Sequence, residues 1–195
     1  MRENNCAWIA AILFPVLMLL LFANALIFDG QTHRALLAPD AVEPTLQLLD
    51  YFRGDAPVPA IFNAQEQAHL ADVKNVVNAL QYGSYVLFVV FLALLWFADQ
   101  RKAIAYGFFI LLFLVVLLAV LPFDSVFDAV HRALFAEGTW IFPSDSTLIQ
   151  LYPFSFFQNF FKEIVIKTLV FSAALALTEI RSSARQYPQA AQDAQ

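Results

Sequence analysis

Two histidines are placed to move protons: His69 in His69-Leu70-Ala71-Asp72-Val73, and His131 in Val130-His131-Arg132-Ala133-Leu134-Phe135. An imidazole changes charge near neutral pH, so it serves as base, acid or hydrogen-bond donor with little adjustment. Asp72 follows His69 by three residues, a spacing that puts both on one helix face. Both histidines lie just outside apolar runs long enough to cross a membrane, so the pair is expected to meet at the bilayer surface. A single histidine at a helix end more often satisfies a structural hydrogen bond. Two at the same bilayer depth on separate segments point to a shared site. His33 has no carboxylate pattern around it and is expected to be structural or incidental.

The elements that must position this pair follow from composition. With 61% hydrophobic and 14% charged residues, and a mean hydropathy of +0.65, the chain is expected to be an integral membrane protein. Four apolar runs, about 6–28, 80–97, 104–121 and 164–180, approach the ~20 residues needed to span hydrocarbon as helix. The fourth is the shortest and carries Lys167. The expected fold is therefore an all-α membrane protein with four transmembrane helices in one domain, 1–180, with a disordered cytoplasmic tail, 181–195. Two external segments, 29–79 and 122–163, are expected to form an extracytoplasmic cap.

Arg2, Arg101, Lys102, Arg181 and Arg185 fall in the short connections and termini, whereas the two long segments hold 12 of the 16 acids. The positive-inside rule then puts both termini in the cytoplasm and the long segments outside. Arg2 and the small residues Ala23-Asn24-Ala25 imitate a cleaved signal, but the first apolar run exceeds the ~7 to 15 residues of such signals and is expected to stay as an anchor.

Residues 29–59 read as a loop rich in turn residues and acids. Asn63-Ala64-Gln65-Glu66 reads as a capping box, and from there His69, Val73, Val76 and Leu80 continue one apolar stripe into the second span. In the second segment Phe123, Val126, Phe127, Val130 and Leu134 line one helix face, with Asp124, Asp128 and Arg132 opposite. That pattern suits a helix lying in the interface, with Asp128 and Arg132 as an exposed i,i+4 pair. Trp140 and the cluster Phe154, Phe156, Phe157, Phe160 and Phe161 supply an aromatic belt or a pocket wall.

Cys6 is the only cysteine, so there is no intramolecular disulfide and no dithiol redox centre. No phosphate-binding loop, nucleophile elbow or zinc-protease motif occurs. A net charge of -5 without a basic cluster argues against nucleic acid as a partner.

The stretch His69-Leu70-Ala71-Asp72-Val73-Lys74, then 131–135, Trp140, Thr147-Leu148-Ile149, Tyr152-Pro153 and the phenylalanines after it resemble the lipoprotein intramolecular transacylase (Lit) family of bacterial membrane proteins. The likeness runs from the first apolar run to about Ile180 and preserves the order of both histidine motifs. It implies a four-helix protein of the bacterial cytoplasmic membrane, with two catalytic histidines, here His69 and His131, where an extracytoplasmic cap meets the membrane. It also implies a substrate, a diacylated lipoprotein with a free N-terminal cysteine. An acyl chain moves from the sn-2 glycerol oxygen to the cysteine α-amine, giving a lyso-form lipoprotein. The expected partners are that lipoprotein N-terminus and membrane lipids, with no cofactor, no metal and a monomeric chain.

The residues suit such a reaction. An α-amine titrates near ~7.7 to 8.0, so it must lose a proton before attacking an ester. His69 is expected to be the base, with Asp72 holding its tautomer, and His131 to act on the electrophile side. Trp140, Tyr152, Phe154 and Phe156 are expected to wall the pocket, and Trp140 and Tyr152 also to offer hydrogen bonds. Two other classes fit the residues. One is a metal-dependent lipid hydrolase using His69, His131 and Asp72; the other is a non-enzymatic membrane scaffold.

Overall fold

The computed structural model describes the backbone of residues 2–192 and the side chains of residues 4–179, and its regular elements are all helices. In chain order they are α1 (Arg2–Ile27), α2 (Gly30–Leu36), α3 (Pro39–Arg53), α4 (Ala64–Phe97), α5 (Gln100–Ala119), α6 (Phe123–Leu134), α7 (Thr147–Leu151) and α8 (Phe154–Gln192). Three helices among the described residues are long and apolar enough to cross a membrane: Asn4–Ile27, Ala64–Phe97 and Gln100–Ala119. The run expected as a fourth span, 164–180, falls within α8, where Glu163, Lys167 and Glu179 interrupt the apolar sequence. The expected tail, 181–195, lies outside the residues whose side chains are described.

Backbone contacts divide the chain into two compact units. One comprises Met1–Phe22, Ser84–Ala119 and Val165–Gln195. Its core joins Ala7, Ala10, Phe14, Leu17 and Met18 of α1 to Phe91 of α4 and Ala103 of α5. Here α1 and α5 approach so closely that a Cβ on Gly107 would lie 2.7 Å from that of Phe14. A missing side chain is what permits this approach, as at helix contacts in membranes generally.

The other unit comprises Ala23–Gly83 and Val120–Ile164, and holds every residue nominated for chemistry. Its core gathers Leu48, Leu49 and Phe52 of α3, Phe62, Leu70 of α4, Leu148 of α7, Tyr152 and Phe156. The expected loop over 29–59 is replaced by two helices. The Asp29 side chain caps α2 by accepting from the backbone N–H groups of Gln31 and Thr32. Pro39 sits in the first turn of α3, where its missing N–H leaves nothing unpaired. These acids and prolines punctuate helices, and the three-and-four spacing of buried Ala41, Thr45, Leu48, Leu49 and Phe52 is the helical signal.

The capping box forms as the sequence predicts. Asn63 Oδ1 accepts from the Gln65 and Glu66 N–H groups, and Glu66 Oε2 accepts from the Asn63 N–H at 2.8 Å. Helix α6 also matches its amphipathic pattern: none of its residues is buried, and Arg132 pairs with Asp128 at 3.0 Å on the exposed face.

Candidate active site

Glu66 organises the α4 side of the site. Its side chain is fully buried, and while Oε2 closes the capping box, Oε1 accepts from the Leu148 N–H at 2.9 Å. Ser146 Oγ takes the next donor, from Ile149. One carboxylate thus serves the first turns of two helices, and the chain entering α7 is held against α4. His69 follows Glu66 by three residues, on the same face.

His69 is 6% exposed, with its ring centroid 4.9 Å from that of Phe135 and 5.4 Å from that of Phe142. Its Nδ1 is buried without a hydrogen-bond partner. A buried N–H left unpaired costs about 1–3 kcal/mol, whereas an empty lone pair is tolerated more easily. The cost of burying an unpaired N–H therefore favours the tautomer with Nδ1 bare and the proton on Nε2. Asp72 does not hold this tautomer as expected: it is exposed, and it reaches the ring through charge alone.

His131 occupies the last turn of α6. Its Nδ1 lies 2.8 Å from the Phe127 carbonyl oxygen. A carbonyl only accepts, so Nδ1 carries the proton and Nε2 presents a free lone pair. The ring rests 3.9 Å from Phe127, 5.0 Å from Trp140 and 5.5 Å from Phe135, centroid to centroid. Phe135 thus touches both imidazoles, although the two residues stand 62 positions apart in the chain. Each lies within electrostatic reach of the other.

Of the expected pocket residues, Trp140 stands beside His131, where Phe135 and Trp140 border an open cavity of about 770 Å³. Phe154 is one ring further out, packed on Phe123 and Phe127 at 5.3 and 5.4 Å. Tyr152 and Phe156 belong elsewhere, in the core of this unit. Thr45 Oγ1 donates to the Ala41 carbonyl, so the Tyr152 hydroxyl, 2.9 Å away, must donate to Thr45 and has no proton left for a ligand. Burial also pushes the Tyr152 phenol up. Phe156 packs on Tyr152 and His33, not on the catalytic candidates.

His33, expected to be structural, is a buried member of this core. Its Nε2–H donates to the Ile27 carbonyl at 2.9 Å, and its ring stacks on Phe160 at 5.5 Å. Burial holds its imidazole below the usual range, against the opposing pull of the Ile27 carbonyl and Asp29. The residue that sequence reasoning half missed is Glu66. Its local partner is legible in the capping box, but Leu148 lies 82 positions away with no signal in the intervening chain. Among the described residues no three histidine, cysteine, aspartate or glutamate side chains gather into a metal-ligand set.

The arrangement brings two imidazoles against one phenyl ring, His131 with its Nδ1 on the Phe127 carbonyl and His69 with its Nδ1 buried without a partner. Similarity to known proteins follows the same lines. The family model for the lipoprotein intramolecular transacylase Lit matches residues 6–157. An uncharacterised protein of Aquifex aeolicus (strain VF5) is 24% identical over 122 residues, 61% of this chain and 56% of the relative. The matched stretch therefore spans little more than half of that relative. The membrane integral lipoprotein intramolecular transacylase Lit from Bacillus cereus shares the fold, with a TM-score of 0.71 and 17% identity over 92% of this chain and 96% of that one. A histidine-to-arginine variant of that protein gives a TM-score of 0.70 at 16% identity, over 93% of each chain.

Proposed function

This chain belongs to the lipoprotein intramolecular transacylase (Lit) family of bacterial membrane proteins, and we propose that it moves an acyl chain from the sn-2 glyceryl ester of a diacylated lipoprotein to the α-amine of its N-terminal cysteine. The observation that carries this reading is the convergence of two imidazoles on Phe135, His131 with its Nδ1 against the Phe127 carbonyl and His69 with its Nδ1 buried without a partner. In this mechanism His131 Nε2 removes a proton from the α-ammonium, and the freed amine attacks the ester carbonyl carbon. His69 Nε2–H donates to the carbonyl oxygen as negative charge develops there. A C–N bond forms and the sn-2 C–O bond breaks. Of the two protons the nitrogen sheds, one passes through His131 to the departing glycerol oxygen and the other goes to water.

These roles reverse those expected from sequence; the Phe127 carbonyl beside His131 Nδ1 and the burial of His69 Nδ1 support them, and Asp72 is exposed with no hydrogen bond to His69. A general base contributes about 10² to 10⁴ in rate, and a positioned donor to an oxyanion about 10² to 10³. Holding amine and ester together contributes up to ~7 to 11 kcal/mol, which removes any need for a serine or cysteine nucleophile. We further read 164–180 of α8 as the fourth span, residues 29–79 and 122–163 as a cap on the extracytoplasmic face, and the chain as a monomer. The distribution of Lys and Arg supports that orientation.

The test is to express the chain in a bacterium whose lipoproteins are diacylated with a free amino terminus, and to sequence the N-terminal lipopeptides by tandem mass spectrometry. Acyl-nitrogen with a lyso-glyceryl group is expected, and is lost in His69→Ala and His131→Ala. Lipopeptides short of one acyl chain would instead make the protein a hydrolase, and unaltered lipopeptides would leave the transacylase reading without support.

A further inference from the structure

The cavity beside Trp140 has a mixed lining, with charged side chains set among the apolar Phe135, Trp140 and Ile141. Three charged side chains, Asp128, Arg132 and Glu137, share its wall with Phe135 and Trp140. Asp128 and Arg132 neutralise one another across 3.0 Å. Glu137 is exposed and makes no ion pair among the described residues, so one negative charge remains uncompensated. An acyl chain placed here would strip water from these groups and give nothing back. A cation would gain from both the carboxylate and the indole face.

The local backbone is built to bring those two groups together. Gly138 adopts φ +79, a left-handed conformation that side chains resist. A Cβ there would meet nothing within 4 Å, so the glycine serves the turn and not the space. Thr139 closes that turn by donating from its N–H and its hydroxyl to the Ala136 carbonyl, at 3.2 and 2.9 Å. Glu137 and Trp140 flank the turn on the same cavity, and Trp140 and Phe135 are ring neighbours of His131.

We propose that this cavity is the subsite for the acceptor end of the substrate: Glu137 and Trp140 hold the protonated α-amine of the N-terminal cysteine, next to the imidazole that deprotonates it. The inference rests on the transacylase reading. A volume of about 770 Å³ also leaves room for the first peptide units beyond the amine, within the ~300–1,000 Å³ of ordinary ligand sites. The same device discharges the product. Once the amide forms, the nitrogen is neutral, both attractions vanish, and the lyso-form lipoprotein is held less tightly than its precursor.

Binding without turnover tests this. Two diacyl lipopeptides with ether-linked chains, one with a free α-amine and one N-acetylated, are titrated calorimetrically into the detergent-solubilised full chain. The free amine is expected to bind about tenfold more tightly to the wild type. In Glu137→Gln the preference should fall to about twofold or less, while Glu137→Asp keeps most of it. Equal binding of both analogues by the wild type, or an undiminished preference in Glu137→Gln, overturns the proposal. Glu137 is exposed, so an unchanged unfolding temperature verifies that the variant is folded. No acyl transfer occurs in this measurement, so its failure leaves the transacylase reading standing, and failure of the lipopeptide test leaves this result interpretable.

Discussion

The two imidazoles of the candidate site are held by opposite means. His69 follows a helix start pinned by directional hydrogen bonds, with the buried Glu66 carboxylate tying α4 to the Leu148 N–H of α7. His131 stands on α6, which buries no residue and is held by ring contacts: Phe123 on Phe154 and Phe161, Phe127 on Phe154 and Phe157. The difference matches the division of labour proposed for them. A group that stabilises developing charge works best when fixed beforehand in a dry setting. A group that must take up and release protons needs an open nitrogen and a route to the surface, which α6 provides.

The strongest way to break this comparison is to replace each histidine by glutamine, which donates hydrogen bonds but cannot act as a base. His131→Gln should lower the rate of acyl transfer to a diacyl lipopeptide by about 10² to 10⁴. His69→Gln, retaining a donor, should lose only about tenfold. Equal losses, or the reverse order, would reject the assignment of roles.

Next in size is the anchor beneath His69. Glu66→Ala leaves the Leu148 N–H unpaired in a buried setting, at about 1–3 kcal/mol, and removes the capping bond to the Asn63 N–H, at about 0.5–2 kcal/mol, so chemical denaturation should register a loss of roughly 1.5–5 kcal/mol. Tyr152→Phe removes the bond to Thr45 and should cost about 0.5–1.5 kcal/mol of stability. Its acyl-transfer rate should stay near that of the wild type, and a large loss would return the Tyr152 hydroxyl to the site.

Proton uptake gives a finer probe of the same core. Burial keeps folded His33 below its ordinary 6.5, so as pH falls through that value the unfolded chain binds a proton that the folded chain does not. Stability conferred by neutral His33 is present above 6.5 and is lost below it. The unfolding temperature of His33→Gln relative to wild type should therefore rise as the pH is lowered through 6.5. On the α6 side the smallest effect is expected: Asp128→Asn breaks an exposed i,i+4 pair and should change stability by a few tenths of a kcal/mol.

Much of this was readable in the chain because it depends on near neighbours. The capping box at Asn63 and Glu66, the unbroken run from Ala64 to Phe97, and the charged and apolar faces of α6 are all patterns within a few turns. The difference over 29–59 has the same source: acids and prolines that suggest a loop, such as Asp29 and Pro39, start helices here, and the buried face of Ala41, Thr45, Leu48 and Phe52 carries the helical period. Aromatic residues were harder, because Trp140, Tyr152, Phe154 and Phe156 look alike as pocket walls until their neighbours are known. Two of the four then turned out to belong to the core around Thr45 and His33.

By itself, the sequence determined that this is a helical membrane protein with two histidines at the ends of apolar stripes, since hydropathy and helical period are properties of short segments. Tertiary structure alone decided what surrounds those histidines. Which ring nitrogen carries the proton depends on the groups the fold brings to each ring: a carbonyl one turn back for His131, and for His69 the aromatic enclosure of Phe135 and Phe142 that leaves Nδ1 without a partner. That enclosure is assembled from residues more than sixty positions distant, and no local pattern records it.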